Sequence, residues 1–163
     1  MTNTHSSPTA ERSVLRGFAT INYWTDDQEA ATRWYADLLG SEPYFVRDGY
    51  VEFRIGDSED ELGIIDRRFA PPGQPTDPGG AIMHWHVDDL EGTYADLLRR
   101  GATTYQPPRA HGDNGFATAS VIDPFGNVLG IMFNPHYVEL LAAGAEPAIE
   151  QVDDAEPGVP SGS

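Results

Sequence analysis

The 163-residue chain contains no cysteine and no lysine. Without cysteine it can form neither disulfide bonds nor thiolate metal sites, and without lysine it cannot carry the glycine-rich phosphate-binding loop that ends in lysine. No apolar run has the length of a membrane span, and the polar residues up to Ser13 lack the apolar centre of a signal peptide. We therefore expect a cytoplasmic protein that does not bind membranes.

Basic residues are scarce, because ten arginines accompany 26 acidic side chains and the net charge is −16. Six of the acids and none of the bases lie at or after Glu139, which leaves −10 for residues 1–138. A chain this acidic is expected to repel nucleic acid and anionic membranes. We interpret the excess charge as a solubility trait, although it would also suit a cationic ligand.

Residues 119–133 predict two strands joined by a tight turn. The turn at residues 123–127 reads Asp-Pro-Phe-Gly-Asn, in which Pro124 presets its own φ and Gly126 accepts a positive φ without steric cost. Apolar residues that favour β-structure flank the turn on both sides. Gly130 interrupts the second strand, where a glycine usually marks the close approach of another group.

The two halves of the chain repeat one pattern at an offset of about 60 to 67 residues. Residues 26–29 (Asp-Asp-Gln-Glu) begin the first predicted helix, and residues 88–91 (Asp-Asp-Leu-Glu) begin the second. The Leu-Gly-Ile of residues 62–64 returns at residues 129–131. The repeat predicts two modules, each built as strand–helix–strand–strand–strand.

The composition divides the chain into five predicted segments. Both ends are polar and aperiodic, and the middle is interrupted by a stretch rich in proline and glycine. The segments are a disordered N-terminal tail (1–15), the first module (16–68), a linker (69–80), the second module (81–138) and a disordered acidic C-terminal tail (139–163).

The turn and the repeat together resemble the vicinal oxygen chelate superfamily, which includes glyoxalase I, bleomycin-resistance proteins, fosfomycin-resistance enzymes and extradiol dioxygenases. Its members commonly carry Asp-Pro-x-Gly-Asn between the last two strands, shortly before a metal-binding glutamate. The resemblance covers about residues 16–137. It implies an α+β fold in which two βαβββ modules pair into a curled, mixed β-sheet cup with flanking helices. It also implies a homodimer, with the cup built within one chain or across two.

In members that bind metal, the ligands come from an early position of each first strand and from one position of each last strand. The resemblance places these positions at Thr20, Gly63, Ile82 and Gly130. None of the four supplies the histidine or carboxylate donors that a divalent ion requires. We therefore predict that the chain holds no metal and no other cofactor.

Alternation along the predicted strands indicates which side chains face the cup. The predicted ligand-binding residues are Thr20, Asn22, Trp24, Gly63, Ile65, Ile82, His84, His86, Gly130 and Met132. This largely apolar set is typical of a small-molecule site, in which Trp24 could stack on a planar ligand. The two glycines leave room for a ligand, or else let the sheets pack closely. Alternation does not decide whether Glu52 and Arg54 face the cup or the solvent.

Two histidines are the strongest chemical candidates, and three interpretations stay open. His84 and His86 could chelate a displaced metal, supply an acid–base or hydrogen-bonding group, or be structural residues with satisfied partners. His84 should lie deeper and is the candidate catalytic residue. In the loop predicted at residues 107–115, Arg109 could meet an anionic substrate and His111 could cover the cup, although a solvated loop is an equal alternative.

Two functions compete on the sequence alone. The first is a metal-free module that binds a small aromatic or heterocyclic molecule, as bleomycin-resistance proteins do. The second is a lyase, isomerase or dioxygenase of the glyoxalase-like kind, acting through His84 or through a displaced metal. Family resemblance by itself does not choose between them.

Overall fold

The computed structural model describes residues 19–145, which form eight strands and three α-helices. The first module comprises β1 (Thr20–Thr25), α1 (Gln28–Leu39), β2 (Phe45–Arg47), β3 (Tyr50–Ile55) and β4 (Asp60–Asp66). The second comprises β5 (His84–His86), α2 (Leu90–Arg99), β6 (Thr103–Ala110), β7 (Ala117–Ile122) and β8 (Val128–Phe133), and α3 (Pro135–Ala145) follows it. The predicted N-terminal tail (1–15) and residues 146–163 of the predicted C-terminal tail (139–163) lie outside the described residues.

Each module forms one open four-stranded sheet with the same strand order. In the first sheet β1 pairs in parallel with β4, β4 pairs antiparallel with β3, and β2 lies at the edge. In the second sheet β5, β8, β7 and β6 take the equivalent places. The two mixed sheets and their helices confirm the predicted α+β class and the internal repeat.

Both module helices begin at the aspartates that the sequence indicates. The Asp27 carboxylate accepts the Ala30 N–H at 3.0 Å, and the Asp89 carboxylate accepts the Gly92 N–H at 2.9 Å. Each bond satisfies one of the backbone donors that a helix leaves free at its first turn. Gly40 ends α1 with a φ of 64°, in the left-handed region that glycine adopts at no steric cost.

One apolar core joins the two modules. In each sheet, the face that packs against its own helix carries the buried side chains. The largest fully buried apolar residues are Tyr35, Phe53, Leu62, Ile64, Leu97 and Val121. Complete burial of such a side chain contributes about 1.5–3 kcal/mol relative to exposure, so this shared core holds the modules together.

The turn between β7 and β8 is bonded to the first module. The Asn127 side chain accepts the Trp24 N–H at 3.0 Å and donates to the Trp24 carbonyl at 3.0 Å, as a neighbouring strand would. Asp123 is 3% exposed, and its carboxylate accepts the Tyr35 hydroxyl at 2.6 Å. The Asp-Pro-Phe-Gly-Asn motif therefore fixes the position of one module on the other.

Helix α3 corrects one predicted boundary. The sequence predicts a disordered tail from residue 139, but residues 139–145 continue the helix, so the prediction is wrong there. Asn134 accepts the His136 N–H at 3.1 Å, and Pro135 occupies the first helical position, where proline is favourable. No helix within residues 19–145 is long and apolar enough to cross a membrane.

Strand β6 corrects a second boundary. Residues 107–110 were predicted to lie in a long loop, but they belong to this strand. Because β6 lies at the edge of its sheet, its two prolines remove no central hydrogen bonds, and the register shifts on both sides of Gln106. The connection to β7 therefore comprises the six residues 111–116, whereas the predicted loop has nine.

Candidate functional site

The face of each sheet that points away from the helices is called the cup face here. Tyr23 and Thr25 of β1 are buried against the core, so Asn22 and Trp24 lie on the cup face of the first sheet. The strand register then defines two adjacent rows across this sheet. One contains Asn22, Gly63, Glu52 and Phe45, and the next contains Trp24, Ile65, Tyr50 and Arg47.

Gly63 is a glycine because neighbouring side chains lie across it. A Cβ atom at this position would be 2.1 Å from the Asn22 Oδ1 and 2.9 Å from the Tyr50 Cε2. Real Cβ atoms do not approach other atoms so closely. The space beside Gly63 is thus filled by the protein's own amide and phenol groups.

Gly130 plays the same part in the second sheet, with less freedom around it. A Cβ atom there would be 2.8 Å from the His84 Cδ2, 2.8 Å from the Ile82 Cγ2 and 2.8 Å from the backbone oxygen of Met83. Both glycines therefore make room for neighbouring protein groups. One of the two sequence interpretations held that they leave room for a ligand, but the space beside each glycine is occupied by protein atoms.

The four positions that hold metal in other members of the resembled family do not fit a metal here. Thr20 and Ile82 occupy the first-strand positions, and the space at Gly63 and Gly130 is taken by the side chains just described. Across residues 19–145, no three histidine, aspartate or glutamate side chains converge as metal ligands would.

An aromatic pocket opens on the cup face of the first sheet. Its volume is about 540 Å³, and all of its lining residues come from the first module and the chain just after it. They are Trp24, Phe45, Arg47, Asp48, Gly49, Tyr50, Ile65 and Phe69. Of the predicted ligand-binding residues, the pocket brings together only Trp24 and Ile65. The six members that the sequence did not indicate are Phe45, Arg47, Asp48, Gly49, Tyr50 and Phe69.

The carboxylate of Glu52 lies on the cup face, in the row next to the pocket. The sequence alone did not decide whether this side chain faces the cup or the solvent. Glu52 is 9% exposed, and its two oxygens accept the hydroxyls of Tyr44 and Tyr50, one each. The Tyr44 hydroxyl also lies 3.2 Å from a Glu61 oxygen. Burial, and then the charge of Glu61, raise the pKa of Glu52, while the Arg54 guanidinium opposes them. Burial, and then Glu61, also raise the pKa of Tyr50.

This raised pKa predicts how Glu52 affects folding stability. A pKa that is higher in the folded state stabilises the fold fully below the unfolded-state pKa, and the contribution is lost as pH rises through the folded value. We expect wild type to lose stability relative to Glu52→Gln as pH rises from about 4 to 7. Urea unfolding at several pH values measures this, with exposed Glu42→Gln as the control. The opposite trend would show that the two phenol hydrogen bonds outweigh burial.

The cup face of the second sheet carries the equivalent rows. His84, Gly130 and Ser120 lie side by side, and His86, Met132 and Thr118 form the next row. The His84 ring lies across Gly130 and makes no hydrogen bond to another residue of the region 19–145. Ser120 is fully buried, and its Oγ has no hydrogen-bond partner within that region. An imidazole and a hydroxyl thus stand where the first sheet has Asn22 and Glu52.

His86 is engaged by the start of α3. Its Nδ1 accepts the Asn134 N–H at 3.1 Å, which places the proton of the neutral ring on Nε2. The ring stacks on Tyr137 with centroids 4.6 Å apart, and Nε2 lies 3.6 Å from an Asp88 oxygen. The start of α3 thus holds the His86 ring in place, while its buried Nε2 has no hydrogen-bond partner within residues 19–145.

The two residues of the predicted loop lie away from the aromatic pocket. Arg109 lines a separate depression of about 460 Å³ beside Asp88 and Glu91. The His111 Nε2 lies 2.8 Å from the Thr118 Oγ1, within hydrogen-bond distance. Neither side chain, and no histidine, contributes to the wall of the aromatic pocket.

Comparison with known proteins identifies the family to which this architecture corresponds. The sequence model of the Glyoxalase/Bleomycin resistance protein/Dioxygenase superfamily matches residues 17–131, more than half of the chain. No curated protein matches the sequence. Solved structures do match this chain.

A glyoxalase-related enzyme from Fulvimarina pelagi is 22% identical, with a TM-score of 0.61 over 74% of this chain and 90% of its own. A glyoxalase/bleomycin resistance protein from Catenulispora acidiphila is 22% identical, with a TM-score of 0.52 over 72% and 98%. A lactoylglutathione lyase from Agrobacterium tumefaciens is 18% identical, with a TM-score of 0.56 over 74% and 96%. At these identities the structures share the fold with this chain, and their activities are their own.

Proposed function

This chain belongs to the Glyoxalase/Bleomycin resistance protein/Dioxygenase superfamily, and we propose that within it the chain is a metal-free binding protein for a small planar aromatic or heterocyclic molecule. The observation that carries the proposal is the aromatic pocket. Four aromatic side chains and Ile65 line one opening of about 540 Å³. Sites for small organic molecules commonly measure about 300–1,000 Å³ and are lined in this way.

The exposure of the aromatic rings supports the same proposal. Phe45 is 45% exposed and Phe69 is 57% exposed, although removing large apolar side chains from water lowers the free energy. A planar molecule between these rings and Trp24 would cover them and stack on their faces. The proposal therefore assigns a role to side chains that the fold itself leaves uncovered.

Substitution of Trp24 tests the proposal with a neutral probe, 2-naphthalenemethanol. We expect saturable binding to wild type by isothermal titration calorimetry, and at least tenfold weaker binding to Trp24→Leu. An aromatic contact contributes about 0.5–1.5 kcal/mol beyond its buried area, and the smaller leucine also loses area. Tyr105→Leu is the matched control, because Tyr105 is 41% exposed on the other sheet.

Two results would contradict the proposal: no saturable binding to wild type of either this probe or its carboxylate analogue 2-naphthoate, or equal losses in the two variants. Circular dichroism of each variant would show that the fold is retained, so that a loss of binding can be assigned to the missing ring.

A second function, acid–base catalysis by His84, is favoured by one observation. The His84 imidazole lies on the cup face without a hydrogen-bond partner in the described part of the chain, beside the buried hydroxyl of Ser120. Turnover of a bound aromatic compound that is abolished in His84→Gln, but kept in His86→Gln, would select this function over simple binding.

The homodimer and the cytoplasmic location expected from the sequence stay predictions, which light scattering and cell fractionation would check.

A further inference from the structure

We infer that the ligand of the aromatic pocket is an anion, a planar aromatic ring bearing a carboxylate or a similar acidic group, and that Arg47 recognises its charge. The inference rests on the proposed function, since it names the class of molecule that the same pocket would take. It assigns a residue that neither the repeat nor the strand alternation indicated.

The floor of the pocket is a row with an apolar end and a cationic end. Trp24, Ile65, Tyr50 and Arg47 lie side by side on the four strands of the first sheet, in that order. Three strand spacings separate the first from the last, about 14 Å between backbones. A flat molecule lying across this row would place its ring between Trp24 and Tyr50 and its edge against Arg47.

Arg47 carries the unneutralised charge of the pocket. It makes no ion pair with any carboxylate of residues 19–145, and its guanidinium lies over the Tyr50 ring, 5.9 Å from the centroid. Asp48, the other charged lining residue, is paired with Arg68, which also lies 3.3 Å from an Asp66 oxygen. Of the two charged lining residues, Arg47 is therefore the one without an ion pair among residues 19–145.

The geometry of arginine suits an acid at this place. A guanidinium stacked on a ring keeps its N–H edge free, and that edge matches the two oxygens of a carboxylate. The overall charge of −16 opposes an anion at long range, but such repulsion between exposed charges is screened beyond about 8 Å at physiological ionic strength. Contact with Arg47 therefore decides the preference for a bound anion.

A cationic ligand is the alternative that the acidic composition suggests, and the contacts do not favour it. The nearest buried carboxylate, Glu52, already accepts both the Tyr44 and the Tyr50 hydroxyls. It lies behind Tyr50 and does not line the pocket. A cation would have to displace a phenol to reach it, and Asp48, the carboxylate that lines the pocket, is already paired with Arg68.

Three probes with one ring system and different charges test the inference by isothermal titration calorimetry. They are 2-naphthoate, the neutral 2-naphthalenemethanol and the cationic 2-naphthylmethylammonium. We expect wild type to bind the naphthoate about tenfold or more tightly than the neutral probe, because hydrogen bonds to charged groups are the stronger kind. Arg47→Gln should abolish this preference while retaining the neutral probe, and Arg47→Lys should keep part of it.

Arg54→Gln is the matched control. Arg54 lies on the same sheet, with its guanidinium 4.3 Å from the Tyr44 ring centroid, but it does not line the pocket. Its removal should leave the preference for the anion unchanged.

The outcomes separate this inference from the proposed function. If the neutral or the cationic probe binds wild type as tightly as naphthoate, the inference is overturned and the proposed function stands. If Arg47→Gln weakens all three probes equally, Arg47 shapes the pocket without reading charge, and the inference is again overturned. If no probe binds, the proposed function itself fails.

Discussion

Replacement of Asp123 by alanine is expected to lower the free energy of unfolding by roughly 3 kcal/mol, or about 10 °C in melting temperature. The carboxylate accepts the Phe125 and Asn127 N–H groups at 2.9 and 2.8 Å, the Asn127 side-chain amide at 2.9 Å and the Tyr35 hydroxyl at 2.6 Å. Truncation leaves these donors without an acceptor, and each buried donor left so costs about 1–3 kcal/mol. Urea unfolding of the purified variant measures the loss.

Tyr35→Phe is the comparison that separates the hydroxyl from the turn. It removes one of the four donors and fills the same space, so we expect a loss of about 1–1.5 kcal/mol. Burial, and then the Asp123 charge, raise the pKa of Tyr35, so the phenol stays protonated and able to donate. If Asp123→Ala cost no more than Tyr35→Phe, the bonds within the turn would contribute nothing, contrary to this account.

Gly130→Ala is expected to lower the free energy of unfolding by about 2–3 kcal/mol, whereas Gly63→Ala should cost less than about 1 kcal/mol. The added methyl group at Gly130 would meet the backbone oxygen of Met83 at 2.8 Å, and a backbone within a strand pair cannot move aside cheaply. At Gly63 the nearest atoms belong to the side chains of Asn22 and Tyr50, which can rotate. Thermal unfolding monitored by circular dichroism compares the two.

A double variant gives the control for this prediction. Asn22→Ala removes the oxygen that a Cβ at Gly63 would meet at 2.1 Å, so Asn22→Ala with Gly63→Ala should be at least as stable as Gly63→Ala alone. Equal costs at Gly63 and Gly130 would mean that the pairing of β5 with β8 relaxes as readily as a side chain rotates.

The fold was accessible from the sequence because its signals are local. Asp27 and Asp89 each begin a helix by accepting the backbone N–H of the residue three positions further on. Such a helix start can be recognised in the sequence, because alanine or leucine in the same place could not accept this bond. Asp-Gly at residues 48–49 is the sequence pattern of a two-residue hairpin turn, and it sets the pairing of β2 with β3 directly. Since both halves repeat the helix-starting aspartates and the Leu-Gly-Ile strand, the double-module architecture followed.

The candidate site was less accessible because it depends on which residues lie beside one another across strands. Alternation placed Trp24 on the cup face, but it could not place Tyr50 and Arg47 next to it, since that needs the register of three strand pairs. Phe69 belongs to a short helical turn in what the composition indicated was a linker. Tertiary packing also positions the His86 ring, because Tyr137 stacks on it from a helix that the sequence did not predict.

The bond between Asn127 and the backbone of Trp24 has a consequence for the repeat itself. A repeated unit could be taken for one that exists alone, yet Trp24 of the outer strand β1 obtains its backbone partner from the second module. A chain cut in the linker would lose this bond between the halves. The repeat is thus a feature of the sequence, while the physical unit that folds is the pair.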